Sequence, residues 1–428
     1  KAVGKCGGPL LGGVIGDSWG GEWSCVVGAP IGVEGFGRIQ ATVHVSGIGR
    51  KVKIDYLGAG LIVSGISILL VWISLGGETE GTGGFPWDST NSIVLVSIGA
   101  VLTIAAIVTE FLVEEPIIPV RLFAQRTFAL ASVASVAVGV TMFGTSVFLS
   151  QYLQFARGLT PTDSGLATIP MVIGSMAGAV GVGQAISRTG RWKPFVIGGS
   201  VALLAGLALM SRIHYDTDIW SVWLNMFLLG LGSGVLMQNL VLVTQNSLPA
   251  TQLGAGSGAV TFFRSLGGTV GVSVLGSVLG AQVGDRIKDG LSALLEKIDP
   301  TLQVPSLLVD NPDCADSVDA LGTGAVPAVG QLCEPVRTVV ESSYGDSIAF
   351  LFLLVVPLAI VTFLCVCFLP NLPLSRKTAA EQIEEELGAE LAALEPAERG
   401  GEGFRELVET GQIVLPEQTG TGKRGDRR

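Results

Sequence analysis

The sequence predicts an all-α integral membrane protein with about ten transmembrane helices, and three observations predict it. Apolar runs near 20 residues recur along the 428-residue chain, the length that crosses roughly 30 Å of hydrocarbon. Only 14% of residues are charged and mean hydropathy is +0.58, whereas a soluble domain carries about 25% charged residues. The short connections between runs alternate between basic and non-basic, the pattern that orients membrane helices. The same composition argues against other classes. A net charge of −10 with no basic patch and interleaved aromatics gives nucleic acid nothing to bind. Six cysteines without metal spacing and two histidines predict no metal site and no cofactor. No nucleophile–base constellation predicts an enzyme.

The runs fall at about 2–16, 24–45, 57–76, 93–113, 128–152, 163–186, 194–213, 219–243, 255–282 and 347–369. In the first, Gly4, Gly8 and Gly12 recur every four residues, with Gly7 and Gly13 beside them and Pro9 inside. In water so much glycine weakens a helix by up to about 1 kcal/mol per residue. In a bilayer, small residues four apart build a groove that a second helix can enter, and Pro9 bends the axis. The run reads as a pivot or as a plain packing face.

The second run carries Glu34 and Arg38, an acid four residues before a base, which a helix lets pair. They form a self-neutralised pair or line a cavity. The next two runs flank a Gly-rich, acidic loop at 76–92, and Glu110 lies toward the inner end of the later one. With the start placed in the cytoplasm, short inside loops hold Arg50, Lys51, Lys53, Arg121, Arg126, Arg188, Arg191 and Lys193, against Arg157 and Arg212 outside. That asymmetry puts both chain ends in the cytoplasm.

Polar side chains inside later runs mark candidate cavity positions: Gln151 and Gln154 near an outer end, and Asn225, Gln238 and Asn239 on 219–243. Amides in lipid serve as interhelical glue or line a pathway. Met142, Phe143, Phe148, Met171, Phe262 and Phe263 form either core or a surface that repacks around apolar molecules. Arg264 lies about 14 Å along 255–282. Its guanidinium needs a partner, a wet cavity or a route to the headgroups. Residues 283–346 read as a long polar outside segment holding Cys314 and Cys333, a pair that oxidising conditions favour and geometry has to permit. Cys365 and Cys367 read as packing residues. Beyond Pro373 an acidic stretch places Ile383, Leu387, Leu391 and Leu394 on one stripe, and 395–428 has the composition of a disordered tail.

The string Gly4-Lys5-Cys6-Gly7-Gly8-Pro9-Leu10-Leu11-Gly12-Gly13 resembles the antiporter motif of drug:proton antiporters in the major facilitator superfamily, with Lys5 as its departure. Gly183-Gln184-Ala185-Ile186-Ser187-Arg188-Thr189-Gly190-Arg191-Trp192-Lys193 resembles that superfamily's loop signature, with Ser187 in place of the acid. Asp55-Tyr56-Leu57-Gly58, Pro119 to Phe123, and Tyr152-Leu153-Gln154 with Gly158, Gly165 and Pro170 are similar to the fourteen-helix branch, and the glycines after Arg264 echo those of the first run as an internal repeat.

The resemblance implies a major-facilitator-type helical bundle with ten of fourteen helices present and roughly the first four missing. Residues 1–45 would then end an N-terminal six-helix bundle, 46–113 would be an accessory pair, 114–369 a C-terminal bundle and 370–428 a cytoplasmic tail. It implies that the full-length parent carries out proton-coupled export of amphipathic, often cationic, small molecules across a bacterial-type plasma membrane by alternating access, the coupling residues lying in the missing helices. The proton gradient is then the energy source, and lipid, protons, substrate and the missing helices are the partners. Expected site residues are Gly4, Gly8, Pro9, Gly12 and Gly13 as pivot; Gly183, Arg188, Gly190 and Arg191 as gating loop; and Gln151, Asn225, Gln238, Asn239, Phe262 and Arg264 in the substrate cavity. A dedicated metabolite exporter on the same fold, or a non-transporting scaffold or receptor, are the alternatives.

Overall fold

A computed structural model describes residues 55–76, 85–113, 120–249, 252–296 and 332–371, together with Pro30, Glu34, Phe36–Arg38, Cys314 and Val329. The antiporter-like string and the acidic tail lie outside the described residues. Residues 55–248 and 252–371 belong to one compact unit. Glu34 and Phe36–Arg38 belong to another, in which Arg38 donates to Glu34 at exposed positions one helical turn apart.

Eight described helices are long and apolar enough to cross a membrane. They are α1 (Tyr56–Leu75), α2 (Thr90–Leu112), α3 (Arg126–Ala156), α4 (Pro161–Thr189), α5 (Lys193–Met210), α6 (Ile219–Asn246), α7 (Leu253–Leu295) and α8 (Glu334–Phe368). Each expected run from 57–76 onward matches one of them. The described residues contain no strand, only an isolated bridge between Gly76 and Phe85.

Local chemistry explains the ends. Asp55 caps α1 by accepting from the Gly58 amide at 2.8 Å, and a Cβ on Gly58 would strike that carboxylate. Ser89 caps α2 and Thr160 caps α4 in the same way. α4 breaks at Thr168, just before Pro170, and resumes through a π-turn at Ala177–Val182. Proline lacks the N–H that would continue the ladder.

Two helices depart from the expected boundaries. α7 has 43 residues, about 64 Å at 1.5 Å per residue, and α8 begins at Glu334 rather than near 347. The segment 283–346, read as loop from its polarity, is therefore helical at both ends. Val283, Ile287, Leu291 and Leu294 of α7 and Val336 and Val340 of α8 join the core, so an amphipathic pattern persists past the hydrocarbon length. Cys314 and Cys333 are disulfide-bonded, with Cα atoms 5.3 Å apart. Cys365 and Cys367 are free thiols.

Helix crossings are built on glycine. On α6, Gly230 and Gly234 face Met171 and Ser175 of α4; on α4, Gly174 and Gly178 face Phe227 and Leu231 of α6. A Cβ at any of these four would overlap a carbonyl oxygen of the opposite backbone. α7 meets α3 likewise, through Gly139 against the Arg264 carbonyl and Gly267 against that of Val136. α1 and α2 form an antiparallel pair through Gly65 against Thr103 and Gly99 against Leu69, tied by Trp72 Nε1–H to Ser92 Oγ at 2.7 Å. Their outer surfaces stay mainly apolar and exposed (Val71, Val101, Ile104 and Phe111 among them), as a lipid-facing pair requires.

Candidate functional site

The open polar surface of the bundle is organised by α7. Hydroxyls recur every fourth residue along it: Ser257, Thr261, Ser265, Thr269, Ser273 and Ser277. Four residues advance a helix by 400°, so each step turns the row by about 40°. Ser257, Thr261, Thr269 and Ser277 donate back to carbonyls one turn earlier, which lets a hydroxyl sit in an apolar span at small cost. Thr261, Ser265 and Thr269 are exposed at the middle of the row. At its C-terminal end the row turns onto α1, where Ser273 meets Ser74 at 3.2 Å and Ser277 reaches the Ile73 carbonyl at 3.5 Å. At its N-terminal end α1 and α7 leave an apolar groove of ≈ 450 Å³ between Ala59, Ile62 and Val63 and Gly258, Ala259 and Phe262.

The expected cavity residues divide between two levels. Arg264 is 8% exposed, and its Nη1 donates to the Met237 carbonyl of α6 at 3.2 Å. Gln238, next to Met237, is exposed, one residue from the carbonyl that Arg264 holds. Phe262 packs edge-on to Phe263 and lines the groove. Asn239 is 2% exposed, and its Nδ2 returns to the Val235 carbonyl of its own helix, the behaviour of a packing amide. Gln151 and Asn225 each lie 12 residues from the level of Arg264, counted from Gly139 on α3 and Met237 on α6. That is about 18 Å along the helix axes, toward the end of the bundle that carries the α5–α6 connection. The structure therefore does not gather the six into one pocket. The hydroxyl row was the missed signal, legible as Ser or Thr at every fourth position but overshadowed by the glycines among them.

In the loop signature, Gly183 opens the last turns of α4 and Gly190 ends the helix at φ 68°, its N–H bonded to the Ile186 carbonyl. A left-handed cap at that point is the conformation glycine adopts freely. Arg188 and Arg191 are exposed. The cation that grips a helix end is Lys193, whose Nζ donates to the Leu369 carbonyl at the end of α8 at 2.8 Å. Trp192 beside it is buried.

The end of the bundle at the α5–α6 connection is closed by a polar cluster. Tyr152 Oη–H donates to the His214 carbonyl, and Arg157 Nη1 to those of Tyr215 and Thr217, each at 2.7 Å. Asp346 on α8 meets His214 Nδ1 at 2.9 Å and Arg286 Nη1 at 3.3 Å. Phe155 stacks on Tyr344 with centroids 4.8 Å apart. The ends of α3, α7 and α8 thus hold the α5–α6 connection in place. Glu110 of α2 is 6% exposed, a carboxyl carried within an apolar span.

Comparisons with known proteins place these features in a family. The Major Facilitator Superfamily profile matches residues 3–272. An uncharacterized MFS-type transporter of Mycobacterium tuberculosis is 31% identical over 370 residues, 86% of this chain and 50% of the relative. The multidrug transporter protein MdtP of Bacillus subtilis is 27% identical over 391 residues, 89% of this chain and 70% of the relative. A tetracycline resistance determinant of Streptomyces rimosus is 32% identical over 222 residues, 52% of this chain and 62% of the relative. The chain spans about half the length of the mycobacterial relative.

Proposed function

We propose, from the premise that this chain belongs to the Major Facilitator Superfamily and is a multi-pass membrane protein, that it works in the export of amphipathic small molecules. The observation that carries the reading is the exposed row Thr261, Ser265 and Thr269, with Gln238 exposed on α6, in the middle of apolar spans. The exposed surfaces of α1 and α2 are mainly apolar, with isolated exposed hydroxyls at Ser67 and Ser97, so a row of hydroxyls repeated turn after turn at that depth fits a water-filled path. The names of relatives, a multidrug transporter and a tetracycline resistance determinant, support efflux.

In this reading the chain sits in a bacterial-type plasma membrane with both ends cytoplasmic, and the proton gradient drives exchange by alternating access. Residues 1–45 end the N-terminal bundle, 46–113 are the accessory pair, 114–369 form the C-terminal bundle and 370–428 are the tail. Gly4, Gly8, Pro9, Gly12 and Gly13 supply the pivot and the 183–191 loop an inner latch.

The test is dye accumulation in a host stripped of its own pumps. Ethidium, rhodamine 6G and tetracycline are followed with and without a protonophore, with membrane insertion of the expressed chain checked. Lower accumulation that the protonophore restores is the expected result. Unchanged accumulation of all three by an inserted chain refutes it, and exclusion of a single compound favours a dedicated exporter.

A further inference from the structure

We propose that Arg264 anchors an anion-accepting subsite for amphipathic molecules that carry a carboxylate, sulfonate or phosphate group at one end. The proposal rests on the transport reading above and reverses the cationic preference expected of the family. A guanidinium presents five N–H donors in a fixed fork. In Arg264 the Met237 carbonyl takes one of them, and the residue is 8% exposed. Among the described residues, no Asp or Glu comes within ion-pair distance of it.

The surroundings are neutral. Gly139 and Val136 of α3 press on the α7 backbone, and Thr261 and Ser265 lie on the adjoining exposed face. An arginine that snorkelled to the headgroups would be exposed at its tip and would not be held against α6 at this depth. A buried cation without a counter-charge is costly, and an arriving anion removes that cost through paired, charge-assisted hydrogen bonds.

The apolar half of the ligand has a place as well. About 160° around α7 from Arg264, beyond the hydroxyl row, opens the ≈ 450 Å³ groove between Ala59, Ile62 and Val63 and Gly258, Ala259 and Phe262. That volume lies within the range of small-molecule sites. A ligand with its anionic end on Arg264 crosses the hydroxyls and lays its hydrocarbon in this groove.

The experiment uses a matched pair of fluorescent probes on the full chain in phosphatidylcholine nanodiscs, with empty nanodiscs as blank. The probes are 1-anilinonaphthalene-8-sulfonate and N-phenyl-1-naphthylamine, which differ by the sulfonate. In Arg264→Gln, sulfonate binding is expected to weaken about tenfold or more, the range for hydrogen bonds to charged groups, while the neutral probe stays within about twofold. Arg264→Lys is expected to fall between. Equal losses for both probes, or no loss for the sulfonate, overturn the subsite and leave the transport reading standing. If the unmodified chain binds neither probe, the subsite is overturned, and the transport reading stands or falls on dye accumulation alone. Should Arg264→Gln fail to fold, competition on the unmodified chain decides. Decyl sulfate displacing the sulfonate at lower concentration than decyltrimethylammonium supports the subsite, and equal displacement overturns it.

Discussion

Substituting Gly230 by alanine tests the glycine-built crossing of α4 and α6 most directly. The new Cβ would overlap the Met171 carbonyl oxygen and carbon, which are backbone atoms of the facing helix. No side-chain rotation relieves that contact. Restoring an ordinary C···O separation of about 3.3–3.6 Å means opening that contact by about 1.3–1.6 Å. A gap of only about 0.5–1 Å already forfeits about a quarter to a half of the dispersion well for each facing atom pair. Overpacking costs about 1–3 kcal/mol, against which alanine returns up to about 1 kcal/mol of helix propensity.

The expected net loss is therefore about 1–2 kcal/mol. Gly174→Ala should cost a similar amount, and the double variant less than the sum, because the first separation makes room for the second. Gly198 on α5 has open space where a Cβ would stand, with nothing within 4 Å, so Gly198→Ala is the control and should be neutral or slightly stabilising. Thermal unfolding of the purified chain in one detergent, with tryptophan fluorescence as the signal, measures all four. Equal melting of Gly230→Ala and wild type, or an equal loss in the Gly198 control, refutes the reasoning.

Replacing Cys314 and Cys333 together by serine reopens a loop closed across 19 positions. The chain-entropy account puts the loss at about 3 kcal/mol; faster hydrogen exchange in 283–295 and 334–346 is the expected readout, and unchanged exchange there contradicts it. Lys193→Met keeps the aliphatic stem but removes the donor to the Leu369 carbonyl. Because that hydrogen bond is only half-buried, about 1 kcal/mol is expected, again from thermal unfolding. Asp346→Asn weakens its contacts with Arg286 and His214, all three side chains being well exposed. The cost should stay under about 1 kcal/mol and shrink as salt is added; a larger, salt-insensitive loss would mean that the polar cluster acts as one network.

Much of the fold was legible because membrane helices are written locally. Every described span from 56 onward coincides with an apolar run, since each segment has to satisfy its own backbone and its own length in hydrocarbon. The pairing of Glu34 with Arg38 was readable for the same reason, as a contact within one helix turn. Boundaries failed where that local rule stops applying. Residues 283–295 and 334–346 are polar enough to read as loop, yet they remain helical because Ile287, Leu291, Val336 and Val340 bury one side in the core. The candidate cavity was less legible for a different reason. Polarity singled out Gln151, Asn225 and Asn239 alongside Gln238 and Arg264, but polarity alone does not tell a side chain bonded to its own helix, as Asn239 is, from one facing open space.

By itself the sequence determined the membrane class, the eight described spans, the basic asymmetry of the loops and the likeness to a transporter family. All of these follow from desolvation costs and motifs that act along a single stretch of chain. Only the tertiary structure decided that Lys193 rather than the arginines reaches the end of α8, and that Cys314 and Cys333 are bonded. It also decided that α7 spends its glycines on α3 while its hydroxyls stay open, and that Arg264 is held by one carbonyl. Those outcomes depend on which faces of distant helices meet, and the period of one helix does not specify its neighbour.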